Sequence, residues 1–231
     1  QQLISQGCND HRVFSNYGII LKNLGNLKEA EISYRKAIKI KPDFANAYSN
    51  LGIILKDLGN LKEAELSTRK AIELNPDFAE AHLNLGSILR DLGKLQESFD
   101  SYLGVIEINP TFPNIYSLIT EFLRDSDPSQ LNKSKLKYII NILLEKNDVP
   151  HKELFNSFHF LYRNEITLIL EKLDSDFSNI ELLINNKVII NALRKIIFRD
   201  LKLEEILIKV RRNICHRISE NIETINYSEL R

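Results

Sequence analysis

The chain has 231 residues, 43% of them apolar and 27% charged, which excludes a disordered tail and allows one or two domains with a core that needs no disulfide or structural metal. Its 31 basic residues balance 31 acidic ones, which argues against broad electrostatic binding to nucleic acid or an anionic membrane, since that requires clustered Lys and Arg. The two cysteines, Cys8 and Cys215, are too far apart for a CxxC pattern and exclude a disulfide framework, so a reducing compartment is expected.

From the N-terminus the sequence repeats. Gly18, Gly52 and Gly86 stand 34 residues apart, and so do Gly25, Gly59 and Gly93, and Pro42, Pro76 and Pro110. Three units follow, residues 11–44, 45–78 and 79–112. In the second, Tyr48, Leu51, Ile54, Leu55 and Leu58 predict one helix, and Leu61, Ala64, Ala71, Ile72 and Leu74 predict another. Gly52, inside the first helix, costs about 1 kcal/mol relative to Ala. Close approach of the neighbouring helix is the expected compensation, with Ala64 and Ala71 as the small surfaces opposite. Gly59 suits the left-handed residue that closes the first helix, and Asn60 with Glu63 predicts a reciprocal cap on the second, as do Asn26 and Glu29. Pro76 stops the second helix, and Asp77 is placed to start the next unit. A degenerate fourth first-helix over 113–124 keeps Tyr116 and Ile119 but has Thr120 where the glycine stood.

After Arg124 the period is lost, and Asp125-Ser126-Asp127-Pro128 reads as a break. Helical periodicity then runs through Leu131–Lys146, His151–Leu173, Asn179–Phe198 and Leu201–Asn221, with Asp200 placed to cap the last. No proline follows Pro150 and no glycine follows Gly104, which fits helices with short connections rather than a sheet with tight turns. The expected fold is all-α: a repeat superhelix over 11–124, then a helical bundle within 129–231 that covers the apolar edge of the last unit.

Tyr48, Leu51-Gly52, Ala64, Ala71 and Pro76 resemble the tetratricopeptide repeat of bacterial type. The likeness departs at Leu55 and Thr68, where that family favours aromatics, and at Ser98 and Val105 in the third unit. The resemblance implies that first helices line a concave groove. By phase, the groove residues are Arg12, Ser15, Asn16, Ile19, Lys22 and Asn23 in the first unit. They are Asn46, Ser49, Asn50, Ile53, Lys56 and Asp57 in the second, and Glu80, Leu83, Asn84, Ser87, Arg90 and Asp91 in the third. An Asn amide both donates and accepts, so the ladder Asn16, Asn50, Asn84 can hold the N–H and C=O of an extended peptide whatever its side chains. Helices packed about 8–10 Å apart and a chain advancing about 3.3–3.6 Å per residue place one Asn at roughly every third peptide residue. The Asn-Leu-Gly ladder, with Lys22, Lys56 and Arg90, is similar to the superhelix of O-linked N-acetylglucosamine transferases. That likeness implies that the asparagines hold substrate backbone. Lys56 and Arg90 favour acidic segments. The stretch 185–217 resembles the region upstream of a methyltransferase-like domain in bacterial tetratricopeptide proteins, which implies a cofactor-bearing part outside this chain.

No catalytic constellation emerges. The second half has no glycine to bring backbone against a nucleotide or S-adenosylmethionine. His11, His82, His151, His159 and His216 form no HExxH motif, and Cys215 and His216, adjacent on a helix, point about 100° apart. The basic residues between Lys187 and Arg217 are interrupted by Asp200, Glu204 and Glu205 without interleaved aromatics, which reads as a solvated face rather than a nucleic-acid site. No apolar run reaches the roughly 18–20 residues that cross a bilayer, and Gln1-Gln2-Leu3-Ile4-Ser5 lacks the design of a secretory signal, so a cytoplasmic protein is expected. No methionine occurs, even at position 1, from which a trimmed chain is expected. The expected function is binding of proteins or extended peptide segments through the groove, with no enzyme activity, cofactor, metal, nucleic acid or membrane. The alternative is the non-catalytic targeting arm of a larger methyltransferase or glycosyltransferase, and a third reading is a scaffold that self-associates.

Overall fold

The computed structural model describes residues 9–175, 186–196 and 208, and among these it contains helices and connections but no strand. The chain divides after Ile115 into two compact units. The first holds three helical hairpins: α1 (His11–Asn23) with α2 (Leu27–Ile40), α3 (Ala45–Asp57) with α4 (Leu61–Leu74), and α5 (Ala79–Asp91) with α6 (Leu95–Ile108).

Each hairpin turns at a glycine with positive φ: Gly25 at 78°, Gly59 at 82° and Gly93 at 73°, a conformation that disfavours side chains. At the second turn the Gly59 N–H donates to the Lys56 carbonyl at 2.9 Å and the Asn60 N–H to the Leu55 carbonyl at 2.8 Å, the paired bonds of a Schellman closure. Asn26 and Asn60 do start α2 and α4, but neither side chain caps, contrary to the expected reciprocal boxes. The reason is local: their ψ values of 64° and 57° depart from the extended backbone that aims a cap side chain at the first turn. Asp10 and Asn132, at ψ 115° and 117°, do cap. Asp77 is likewise not the cap of α5, a position taken by Phe78 without a side-chain bond. The second helices end where expected, with Lys41, Asn75 and Asn109 in extended conformation immediately before their prolines.

The mid-helix glycines are crowded as predicted, but by different neighbours. A Cβ on Gly18 would lie 2.7 Å from Tyr34 Cζ, and one on Gly86 would lie 2.5 Å from Tyr102 Cε1. At Gly52 it would strike the Thr68 hydroxyl. The surface opposite each glycine is therefore residue 34, 68 or 102, with Ala64 contributing only its carbonyl, 3.2 Å from the Gly52 position. Ala30, Ala37, Ala64 and Ala71 are fully buried and let the hairpin helices close on each other. Hydroxyls stitch the hairpins: Ser33 donates to the Phe14 carbonyl at 2.8 Å, Ser67 to Tyr48 at 2.9 Å and Ser98 to Gly86 at 2.7 Å. Ser98, which replaces the expected alanine, is thus buried with its hydrogen bond satisfied.

Successive hairpins stack through α2 on α3 and α4 on α5. Ile54 and Ile88 are fully buried, whereas Ile20, in phase with both, is 55% exposed. On the second helices, Arg35 bridges Glu31 at 2.8 Å and Glu63 of the next unit at 2.5 Å, and Arg69 repeats this with Glu65 and Glu97. The series ends at Leu103, the residue in phase with both arginines, which is buried. With both arginines 44% exposed, these pairs contribute little individually, and they recur at the period of the repeat.

In the second unit, α7 (Ile115–Asp125) is followed by a 3-10 turn over Pro128–Gln130, α8 (Lys133–Glu145), a 3-10 turn over His151–Leu154, α9 (Phe155–Ser175) and α10 (Lys187–Lys195). The expected break at 125–128 is a capped turn in which Asp127 accepts from the Ser129 N–H at 2.9 Å. Thr120 takes the glycine position with its hydroxyl bonded back to the Tyr116 carbonyl at 2.8 Å. Leu136, Ile139, Ile140 and Leu143 of α8 are buried, as are Phe158, Tyr162 and Ile166 of α9 and Ile189 and Ala192 of α10. Lys195 of α10 donates to the Leu144 carbonyl at 2.8 Å, satisfying the open C-terminal end of α8. The helix expected over Leu201–Asn221, its cap Asp200, most of 185–217, and Cys8, Cys215 and His216 lie outside the described residues.

His151 lies beside that same end of α8. Burial and the Lys195 charge push its imidazole below its ordinary 6.5, against the pull of the Lys146 and Leu143 carbonyls, while Glu153 stands on the same turn and faces Arg124 at 3.5 Å. The folded state therefore favours neutral His151. Its contribution to stability is complete above pH 6.5, and it is lost as acidification protonates the unfolded chain first and then the folded one. Unfolding of the chain followed between pH 8 and pH 5 is expected to show a fall in stability that His151→Gln flattens; parallel profiles would contradict it.

Candidate functional site

The residues singled out for the groove all lie on α1, α3 and α5. Asn16 is exposed and Lys22 half-buried on α1; Asn50 and Lys56 are half-buried on α3; Asn84 and Ser87 are half-buried on α5; and Asn23, Asp57, Arg90 and Asp91 are exposed at the helix ends. Their phase follows from the 34-residue period, because equal helices joined by equal turns place equivalent side chains on one face.

Several of these residues meet across units. The Lys56 ammonium donates to the Ser87 hydroxyl at 2.6 Å and lies 3.4 Å from the Asp91 carboxylate. The Asn84 amide donates to the Ser49 hydroxyl at 3.0 Å. These two links tie α3 to α5. The first unit behaves differently. Lys22 and Asp57 stand in phase with Lys56 and Asp91, but Ile53 takes the place of Ser87, and Asn16, Lys22 and Asn50 form no side-chain hydrogen bond or ion pair among the described residues. The ladder is thus graded: Asn84 is held internally, whereas Asn16 and Asn50 keep their amides open.

Ser15 and Ser49 are buried, at 4% and 2% exposure, so they do not line the face that phase alone assigned them. Ser49 instead anchors Asn84. Arg12 is held by Asp10, which accepts from its Nη2 at 2.9 Å and its Nε at 3.2 Å; those side-chain bonds keep the Asp10 carboxyl below the usual range. Burial pushes the Tyr102 phenol up, opposed by its hydrogen bond with Ser98 and by the charge of Arg90. The Asn84–Ser49 pair was missed from sequence, although the shared phase of Ser15 and Ser49 on each first helix was visible. Among the described residues no group of three or more His, Cys, Asp or Glu could hold a metal ion, and no helix is long and apolar enough to cross a membrane.

Comparison with known proteins agrees with this architecture. Family models described as TPR repeat and tetratricopeptide repeat match residues 18–59, 45–78 and 68–99; this part of the chain consists of tetratricopeptide repeats. No curated protein matches the chain. Among solved structures, the crystal structure of MamA is 23% identical with a TM-score of 0.51, over 59% of this chain and 78% of that one, and shares the fold. The first TPR of Spaghetti (RPAP3), bound to the HSP90 peptide SRMEEVD, is 22% identical with a TM-score of 0.47, over 49% of this chain and 90% of that one. The Arabidopsis OM64 TPR domain is 19% identical with a TM-score of 0.47, over 48% and 93%.

Proposed function

We propose that the polar face of α1, α3 and α5 binds an extended segment of a partner protein, gripping its backbone through Asn16 and Asn50. The observation that carries this reading is the open state of those two amides beside a third, Asn84, that Ser49 already satisfies. Asn50, half-buried with no partner, gains when a peptide N–H or C=O arrives, and Asn16 presents the same open amide at the exposed end of the face; an extended chain offers both groups at every residue whatever its sequence. Lys22, without a carboxylate partner among the described residues, supplies the accessible positive charge; Lys56 is already engaged by Asp91. Acidic segments are therefore favoured at the end of the face nearest α1. In this reading the ladder works as the asparagines of O-linked N-acetylglucosamine transferases do, which it resembles.

The test is retention of a random peptide library on the immobilised chain, compared with the Asn16→Ala/Asn50→Ala variant. Two hydrogen-bonding side chains worth about 0.5–1.5 kcal/mol each predict at least about a fivefold loss of retention. Equal retention by both proteins rejects the amide grip.

A further inference from the structure

The stack of hairpins leaves one junction face open. On α3 the stripe Ala47, Leu51 and Ile54 is buried, and on α5 so are Ala81, Leu85 and Ile88, all at 5% exposure or less. The residues of α1 in phase with them are Val13, Tyr17 and Ile20, followed by Leu24 in phase with Leu58 and Leu92. Val13 and Tyr17 are only half-buried, Ile20 is 55% exposed and Leu24 is 69% exposed. All three first helices pack on their own second helix, whereas α3 and α5 also carry the second helix of the hairpin before them. Ile20, Ile54 and Ile88 are the same side chain, so their different burial follows from what covers the helix and not from a change of residue.

The polar edge repeats the contrast. Glu63 accepts from Arg35 of the preceding hairpin at 2.5 Å, and Glu97 accepts from Arg69 at 2.5 Å. Glu29 stands in phase with both, yet it forms no side-chain hydrogen bond or ion pair among the described residues. With Phe14, Tyr17, Ile32, Ser33 and Lys36 it lines a hollow of about 240 Å³ walled by α1 and α2. The Lys36 ammonium is directed over the Phe14 ring, 4.2 Å from its centroid. The first hairpin therefore presents both halves of the junction used twice inside the chain, an apolar stripe and a carboxylate acceptor, with neither occupied.

We infer that this face docks a helical hairpin of the same repeat type from a second protein, whose second helix lays an apolar stripe along Val13, Tyr17, Ile20 and Leu24 and directs an arginine to Glu29. The occupant's chemistry follows from the internal junctions, α2 on α3 and α4 on α5, because stacked repeats bury equivalent faces against equivalent neighbours. A second copy of the chain does not supply it: Arg35 and Arg69 are already paired within their own junctions, and Leu103, next in phase, is buried. The face shares no residue with the asparagine ladder, so the repeats can hold a peptide and be extended at their first hairpin together.

The experiment titrates the isotope-labelled full chain with a 14-residue peptide of the α4 sequence, Leu61–Leu74, capped at both ends and held helical by a hydrocarbon staple between positions 66 and 70, which are exposed in the chain. Saturable amide shifts are expected at Tyr17, Ile20, Leu24 and Glu29. Glu29→Arg is expected to weaken binding about fivefold, and the peptide carrying Arg69→Glu is expected to recover it, a rescue that neither misfolding nor non-specific apolar adhesion produces. Ile20→Ala removes apolar contact from an exposed position and is expected to weaken binding about tenfold. No saturable shift, shifts confined to Asn16 and Asn50, equal binding of both peptides by Glu29→Arg, or self-association that moves the same α1 signals without peptide overturns the proposal.

Discussion

Replacing Gly86 with alanine is expected to destabilise the repeat region by about 1–3 kcal/mol, the usual cost of forcing a methyl group into a filled core. Helix propensity alone predicts the opposite, a gain of about 1 kcal/mol, so the sign decides between the two effects. The new Cβ would sit 2.5 Å from Cε1 of Tyr102, a ring 1% exposed and unable to withdraw. Gly52 offers an internal contrast, since its obstacle is the Thr68 hydroxyl rather than a ring. The cost of Gly52→Ala is therefore expected to fall by more than half in a Thr68→Ala background, leaving only the Ala64 carbonyl at 3.2 Å. Chemical denaturation of the single and double variants measures both. A rise in stability for Gly86→Ala, or no coupling between positions 52 and 68, would refute the close-approach account of these glycines.

The second large effect depends on place in the stack. Ile54→Ala is expected to cost about 2–5 kcal/mol, because the side chain is fully buried in the core cluster drawn from α1 to α5. Ile20→Ala, chemically identical and in phase, is expected to change stability by no more than about 0.5 kcal/mol, because Ile20 is 55% exposed. Similar losses at both positions would mean that the face of α1 carrying Ile20 is covered in solution.

The contrast between these two residues shows what the sequence conveys and what it does not. Helices and turns were legible because they are local. Apolar spacing fixes the buried face, a glycine at positive φ closes each first helix, and a proline forces the residue before it out of the helix. Contacts between helices were not legible. Sequence offered Ala64 and Ala71 as the surfaces facing Gly52, yet the packed hairpin presents Thr68 there, and Tyr34 and Tyr102 at the equivalent places. Asn60 has the right chemistry for a cap, yet it sits at ψ 57° and its side chain makes no cap bond.

The site was readable to the same depth. The period located the face of α1, α3 and α5 but could not rank its members. Asn16, Asn50 and Asn84 read as one ladder, whereas the structure separates Asn84, held by Ser49, from the two whose amides remain open. Lys56 read as a ligand-binding cation and is engaged by Ser87 and Asp91. Ile53 stands in the place that Ser87 fills one unit later, so the hydroxyl that accepts from Lys56 has no counterpart beside Lys22.

The most direct test of the proposed recognition follows the side-chain amide resonances of Asn16 and Asn50 while a peptide selected from the random library is added to the labelled chain. Peptide-backbone gripping predicts that both amides shift and gain protection from exchange with water, with Asn84 responding less because Ser49 already holds it. Saturation of the same peptide with both amides unmoved and the perturbed signals confined to α2, α4 and α6 would contradict it.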